Sequence, residues 1–152
     1  MRFNHVMTTE PGHHDIYAQA LDWTPMSELF GFKGSVPPSI GNLGKYLGRP
    51  DDERGPWFYL VRHPPFTRVP RHGHGGTVMH YLLEGSWKVG DDEDELYLPG
   101  FFHYEDKGAF WGPMISGGEG STFIAVYDSR PDFILADGAE PGYVDPGRPN
   151  TR

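Results

Sequence analysis

Two imidazoles one residue apart, His72 and His74, open the run Arg71-His72-Gly73-His74-Gly75-Gly76-Thr77-Val78-Met79-His80-Tyr81-Leu82-Leu83-Glu84-Gly85. In an extended segment residues i and i+2 point to the same face, so both rings can aim a nitrogen at one point. Neutral imidazole is a common ligand for Fe, Zn, Ni and Cu. The same pair can equally decorate a solvent edge, so its surroundings must decide. Next along the chain come a Gly-rich loop, the apolar run Val78 to Leu83, a turn expected at Leu83-Glu84-Gly85 and the strand Ser86-Trp87-Lys88-Val89. After Gly100, His103 shares one strand face with Phe101 and Glu105, and Phe102 shares the other with Tyr104. Which of those faces is inward is not readable from the pattern.

The elements that must position these groups are strands. Trp57 to Arg62 has the strongest β-propensity in the chain, with Phe58, Leu60 and Arg62 on one side and Trp57, Tyr59 and Val61 on the other. Both sides are largely apolar, which predicts a central strand. Thr122 to Tyr127 predicts a second buried strand. Trp23-Thr24-Pro25 with Leu29 to Val36 is expected to give an edge strand and a turn, limited by Gly31, Gly34 and Pro37-Pro38. Gly41 to Pro56 is expected to be a surface loop whose Asp51-Asp52-Glu53 is solvated. Asp91 to Glu95 is expected to be an acidic hairpin turn, lacking the spaced ligands of a calcium loop. Residues 1 to 15, with His5, His13 and His14, show no periodicity and suggest an arm. After Asp128, a short helix or strand near Phe133-Ile134-Leu135 and then a disordered tail are expected.

Composition narrows the class. The 152 residues have the length of one domain, and 21 Gly, 15 Pro and 14% aromatic residues suit many short strands joined by turns. No internal repeat is visible. A net charge of −8 disfavours nucleic acid and anionic membranes as partners, both of which want basic patches. The absence of cysteine removes disulfides and thiolate chemistry and fits a reducing cytosol. No apolar stretch is long enough to span a bilayer, and Met1-Arg2-Phe3-Asn4-His5 is followed by no apolar signal core, so a cytoplasmic location is the expectation.

The His-x-His run ending in Leu83-Glu84-Gly85 resembles the first motif of the cupin superfamily, and the spacing from Gly100 to Trp111 resembles the second. Gly55-Pro56-Trp57-Phe58-Tyr59-Leu60-Val61-Arg62, Pro64-Pro65-Phe66, Val69-Pro70-Arg71-His72 and Gly85-Ser86-Trp87 look most like small single-domain members. Among these are 2,4'-dihydroxyacetophenone dioxygenases, acetylacetone-cleaving enzymes and anti-sigma-factor-type cupins. The resemblance covers about Pro56 to Tyr127 and departs from the family in its ligands: Val78 stands where the family has Glu, Asp106 where it has Pro, and Trp111 where it has the ligand His.

The resemblance implies an all-β, cupin-like jelly-roll barrel or sandwich over residues 23–130, an N-terminal arm over 1–22 and a partly disordered extension over 131–152. If Val78 takes the inward place of the family Glu, His80 and Leu82 point inward too, with His80 about 7 Å further along the strand. Two ligands do not make a tight site, since three or four are usual. His80 or His103 would have to complete a set begun by His72 and His74; the alternative for each is a core histidine held by a hydrogen bond. His80, His103 and Glu105 are the candidate acid/base residues. Val78, Met79, Tyr81, Phe102, Phe110 and Trp111 are the candidate pocket residues.

The leading expectation is a dioxygenase-type enzyme with a divalent metal, Fe(II) before Zn, Ni or Mn, acting on a small 1,3-diketone or hydroxy-ketone, aromatic or polyketide-like. The alternatives are a metal-free isomerase, dehydratase or cyclase using imidazole acid/base chemistry, and a non-enzymatic ligand-binding or sensor cupin. The resemblance also implies a homodimer.

Overall fold

A computed structural model describes residues 15–29, 41–48, 55–90, 95–139 and 143–144 of the chain. After a 3-10 turn at Ala18–Ala20 come β1 (Thr24–Pro25), α1 (Met26–Leu29), β2 (Leu43–Tyr46), β3 (Trp57–His63), β4 (Thr67–Val69), β5 (His72–Gly73) and β6 (Val78–Val89). The chain continues through β7 (Leu96–Tyr97), β8 (Phe102–Glu105), β9 (Phe110–Trp111), β10 (Met114–Tyr127), β11 (Ile134–Leu135) and β12 (Tyr143–Val144). The architecture is therefore all-β with antiparallel pairing throughout, as expected.

Two long strands carry it. β10 pairs with β3 along one edge, from Ser121↔His63 to Tyr127↔Trp57, and with β6 along the other, from Met114↔Val89 to Tyr127↔Val78. β2 and then β1 extend the sheet beyond β3, β4 and β12 continue it from the start of β10, and β7 and β8 add to β6. A three-stranded sheet, β11-β5-β9, carries the His72 segment.

Alternation explains why these residues form these strands. β3 buries Trp57, Tyr59, Val61 and His63 and turns Phe58 and Arg62 outward. β6 buries Val78, His80 and Leu82, and β10 buries Phe123, Ala125 and Tyr127. The apolar ones among these side chains, with Trp87 and Met114, form the core. Trp87 places a polar atom inside it, and its Nε1–H donates to Ser121 Oγ at 2.8 Å.

Four expectations are corrected. The turn at Leu83-Glu84-Gly85 is a bend inside β6: Gly85 has φ +78, and a Cβ there would lie 2.0 Å from the Gly120 carbonyl oxygen, so the two strands close on each other where only glycine fits. Residues 41–56 are not all loop, because β2 pairs with β3 and buries Gly44 under Met26. Leu29 closes a helical turn, and Tyr143–Val144 of the expected tail pairs with β4. His5, His13 and His14, the segment 30–36, the acidic triplet 51–53, Asp91 to Asp94 and the remainder of the tail lie outside the described residues. Among the described residues no helix is long and apolar enough to cross a membrane.

Candidate functional site

One cavity of about 490 Å³, counted with its open mouth, lies between the ends of β3, β5, β6, β9 and β10. Four imidazoles face it: His63, His72, His74 and His80. Around them stand Val61, Val69, Trp111, Met114, Phe123, Tyr127 and Phe133, with Met26 and Asn42 closing one side. Among the described lining residues there is no Asp, Glu, Lys or Arg.

β5 and the segment after β10 set the first two rings. Nδ1–H of His72 donates to the Pro70 carbonyl at 2.8 Å, and Nδ1–H of His74 donates to the Asp132 carbonyl at 2.6 Å. A carbonyl can only accept, so in each ring Nδ1 carries the proton and Nε2 is the nitrogen left for the cavity. Nε2 of His74 is buried with no hydrogen-bond partner. The two rings meet edge to face with centroids 4.9 Å apart. Phe133 stacks on His72 at 4.1 Å, and both carboxylate oxygens of Asp132 accept from the Gly75 amide. The chain beyond the barrel thus closes over the histidine pair.

His80 comes from β6 and His63 from the end of β3, each with a buried Nδ1 that has no hydrogen-bond partner. Burial pushes the His63 and His72 imidazoles down to about 3, and for His72 the neighbouring His74 ring adds to the effect. Burial, then the nearby His103, holds His80 well below its usual value. At neutral pH these three rings are uncharged and present lone pairs. Burial also raises the Tyr127 hydroxyl above the ordinary phenol value, so it stays protonated.

His103 and Glu105 share the inward face of β8, and His103 is the cross-strand partner of His80. They stand behind the cavity wall rather than on it. Trp111 stacks on His103 at 4.0 Å and is tilted against His80 at 6.2 Å, while the His80 and His103 rings stack with centroids 5.8 Å apart. His103 Nε2 is 3.5 Å from Glu105 Oε2, too long for a good hydrogen bond, and Glu105 Oε1 is buried with no hydrogen-bond partner.

Of the expected residues, the fold brings His72, His74, His80 and Trp111 to one cavity. Trp111 is the register partner of His72. Val78 points inward but is wholly core, and Met79 belongs to the opposite face of β6. Tyr81, Phe102 and Phe110 are exposed and do not line the cavity, because strand alternation turns them outward. His63, Tyr127, Asp132 and Phe133 belong to the site without having been expected there. For His63 the signal was in reach: it continues the parity of Trp57, Tyr59 and Val61. Asp132 meets His74 across 58 residues of sequence, and no local pattern encodes that contact.

The donors suit a divalent metal in type, tautomer and burial, and His72 and His74 would hold it. Among the described residues no group of three or more His, Cys, Asp or Glu is drawn together as a ligand set. His80, expected with His103 as a source of the third ligand, lines the same cavity as His72 and His74, while His103 is not among the lining residues.

A two-layered antiparallel barrel with a histidine pair at one mouth defines a cupin. Residues 16–128 match the ChrR cupin-like domain, and the chain belongs to that family. No curated protein matches it. Among solved structures it is similar to a protein assigned as an acetylacetone dioxygenase from Methylibium petroleiphilum PM1, at 18% identity over 90% of each chain with a TM-score of 0.62. The polyketide cyclase RemF from Streptomyces resistomycificus is also similar, at 18% identity over 82% of this chain and 86% of that one, TM-score 0.63. So is an acetylacetone dioxygenase from Acinetobacter johnsonii, at 18% over 94% and 93%, TM-score 0.56. At such identities the likeness speaks for the fold.

Proposed function

We propose that this chain is a small-molecule enzyme whose cavity takes a compact, uncharged carbonyl compound, a 1,3-diketone or hydroxy-ketone, aromatic or not. His72 and His74 are the foothold of a divalent metal, Fe(II) in the first place, with dioxygen as co-substrate. The observation that carries this is the set of four buried imidazoles on a cavity whose other lining residues are uncharged and mostly apolar, three of them with a ring nitrogen that has no hydrogen-bond partner. Buried polar atoms are rarely left so, and unpartnered ring nitrogens on residues that line a cavity call for a ligand. A metal ion bound there would act as a Lewis acid toward a chelating pair of oxygens.

The chain's own residues explain the choice of substrate. Trp111, Phe123 and Phe133 provide apolar walls for a carbon skeleton. With no fixed charge on the described wall, a carboxylate or phosphate would be desolvated without a counter-ion, which costs several kcal/mol. Pro70 and Asp132 hold the two imidazoles in one tautomer.

The test is elemental analysis of purified protein with oxygen uptake on acetylacetone and on 2,4'-dihydroxyacetophenone. About one equivalent of metal per chain, lost together with oxygen uptake in His72→Ala, is the expected result. Full activity of metal-stripped protein would refute the reading. The buried Nδ1 of His80, which has no hydrogen-bond partner, supports one second reading, a metal-free isomerase or cyclase in which His80 exchanges protons with the substrate. Its mark is turnover that survives a strong chelator and needs no oxygen.

A further inference from the structure

The cavity is long, and its two ends differ. On β10, His80 of β6 is paired with Ala125 and His63 of β3 with Ser121, so the two stand about 13 Å apart along one strand by the usual rise. His74 belongs to the His80 end, where its ring meets Tyr127 edge to face at 5.4 Å. Phe123 lies between, in edge contact with His80 at 5.3 Å and with His63 at 5.0 Å. At the far end the pairing of β2 with β3 runs through Gly44↔Val61 and Leu43↔Arg62, and one step further puts Asn42 beside His63. Inward parity carries both side chains to the cavity, which each of them lines. The Met26 amide donates to the Asn42 carbonyl at 3.0 Å and fixes the backbone there.

This end holds polar groups that the histidine pair does not use. His63 is 3% exposed, and its buried Nδ1 has no hydrogen-bond partner. Asn42 brings the one carboxamide among the described lining residues. A neutral imidazole carries one N–H and one lone pair, and a carboxamide both donates and accepts. Whichever of the two Nδ1 presents, a hydroxyl answers it, because a hydroxyl also does both. A carboxylate or an ammonium would meet no opposite charge on the described wall. We propose that Asn42 and His63 form a second polar subsite, which binds a hydroxyl of the substrate at the opposite end of its carbon skeleton from the carbonyl held near His72 and His74. The apolar middle of the cavity, with Phe123 at its centre, takes the skeleton between them. The inference rests on the reading that the cavity takes an uncharged carbonyl compound. It narrows that class to ketones with a distant hydroxyl, over diketones whose oxygens both sit at one end, and no step of it needs the metal.

Calorimetric titration of the purified full chain in oxygen-free buffer tests it, with acetophenone, 4'-hydroxyacetophenone and 2'-hydroxyacetophenone as probes. The three share a skeleton and a carbonyl and differ in where a hydroxyl stands. The 4' compound is expected to bind about 10-fold tighter than acetophenone, since its hydroxyl pairs groups that are otherwise buried alone. The 2' compound, whose hydroxyl bonds its own carbonyl, is expected to gain nothing. In His63→Phe, which keeps a ring beside Phe123, and in Asn42→Leu, the advantage of the 4' compound over the parent is expected to fall to about twofold or less. Taking the ratio of two ligands cancels a general change in cavity shape, which a merely structural role would produce. Asn42 is half-buried, so Asn42→Leu decides the matter if His63→Phe does not fold. Equal binding of the parent and the 4' compound by the wild type overturns the subsite and leaves the carbonyl reading standing. An advantage that survives in the folded variants, or an equal gain from the 2' hydroxyl, overturns the subsite as well. Binding of none of the three overturns the carbonyl reading and the subsite with it.

Discussion

Phe133 is where a single residue has most leverage on the site. Its ring lies flat on His72 at 4.1 Å and also borders His74, so it fixes one imidazole plane while Pro70 fixes the tautomer. Partners that orient a metal-binding histidine without touching the metal typically matter about 10- to 100-fold in affinity. Phe133→Ala is therefore expected to weaken Co(II) binding about 10-fold in a visible-absorption titration and to cost about 2 kcal/mol of stability in urea, less than a fully buried Phe because this one is half-buried. Phe133→Leu should recover most of the stability and little of the metal affinity. Equal affinity in all three proteins would remove Phe133 from the site. The residue lies beyond 16–128, the part matched to the family. The sequence marks 133 to 135 only as a short element, because apolar character does not say which distant ring a side chain will cover.

At the scale of elements, the bend shared by β6 and β10 decides whether a 12-residue and a 14-residue strand can pair along their length. Gly85 at φ +78 and Gly120 at φ +73 sit where the register shifts between Ser116 and Ser121. Gly85→Ala combines a left-handed backbone with a Cβ 2.0 Å from a carbonyl oxygen and is expected to lose about 3 kcal/mol or more. Gly90→Ala and Gly100→Ala share the positive φ but meet nothing within 4 Å, so about 1 to 2 kcal/mol is expected for each. Urea midpoints of the three variants check the order, and equal losses would show that strain alone, without the close approach, sets the cost. The same bend explains what is legible in the chain. Alternation marks β3, the second half of β10 and the inward parity of His80, since each rests on a two-residue period. It splits β6 at Gly85, because a glycine that lets two backbones touch has the same local signature as one that turns a chain. Tyr81, Phe102 and Phe110 mislead for a related reason: aromatic type suggests a pocket, while parity puts them outside.

At the scale of the whole molecule, the buried imidazoles tie stability to pH. His63 and His72 titrate at about 3 in the native chain against 6.5 for an unperturbed imidazole, and His80 is lowered in the same direction. Between those values the unfolded chain binds protons that the native chain does not, so stability rises with pH across the window and falls as acid is added. Above about pH 6.5 the native state carries no penalty, because the imidazoles are neutral in both states. At pH 5 each of the two groups costs about 2 kcal/mol by linkage, and His80 adds to the loss, against a total stability on the order of 5–15 kcal/mol for a domain. Metal-stripped protein is therefore expected to show a urea midpoint that drops steeply from pH 7 to pH 5, ahead of most carboxylate titration. His63→Phe, which removes one of these protons and keeps an aromatic ring beside Phe123, should flatten the slope by about one proton. A divalent metal occupies the lone pairs that acid would protonate, so adding Zn(II) at about pH 6 should raise the midpoint more in the wild type than in His72→Ala. A midpoint flat from about pH 7.5 to pH 5 would mean that His63, His72 and His80 are solvated, and the cavity would then lose its claim to bind either a metal or an uncharged substrate.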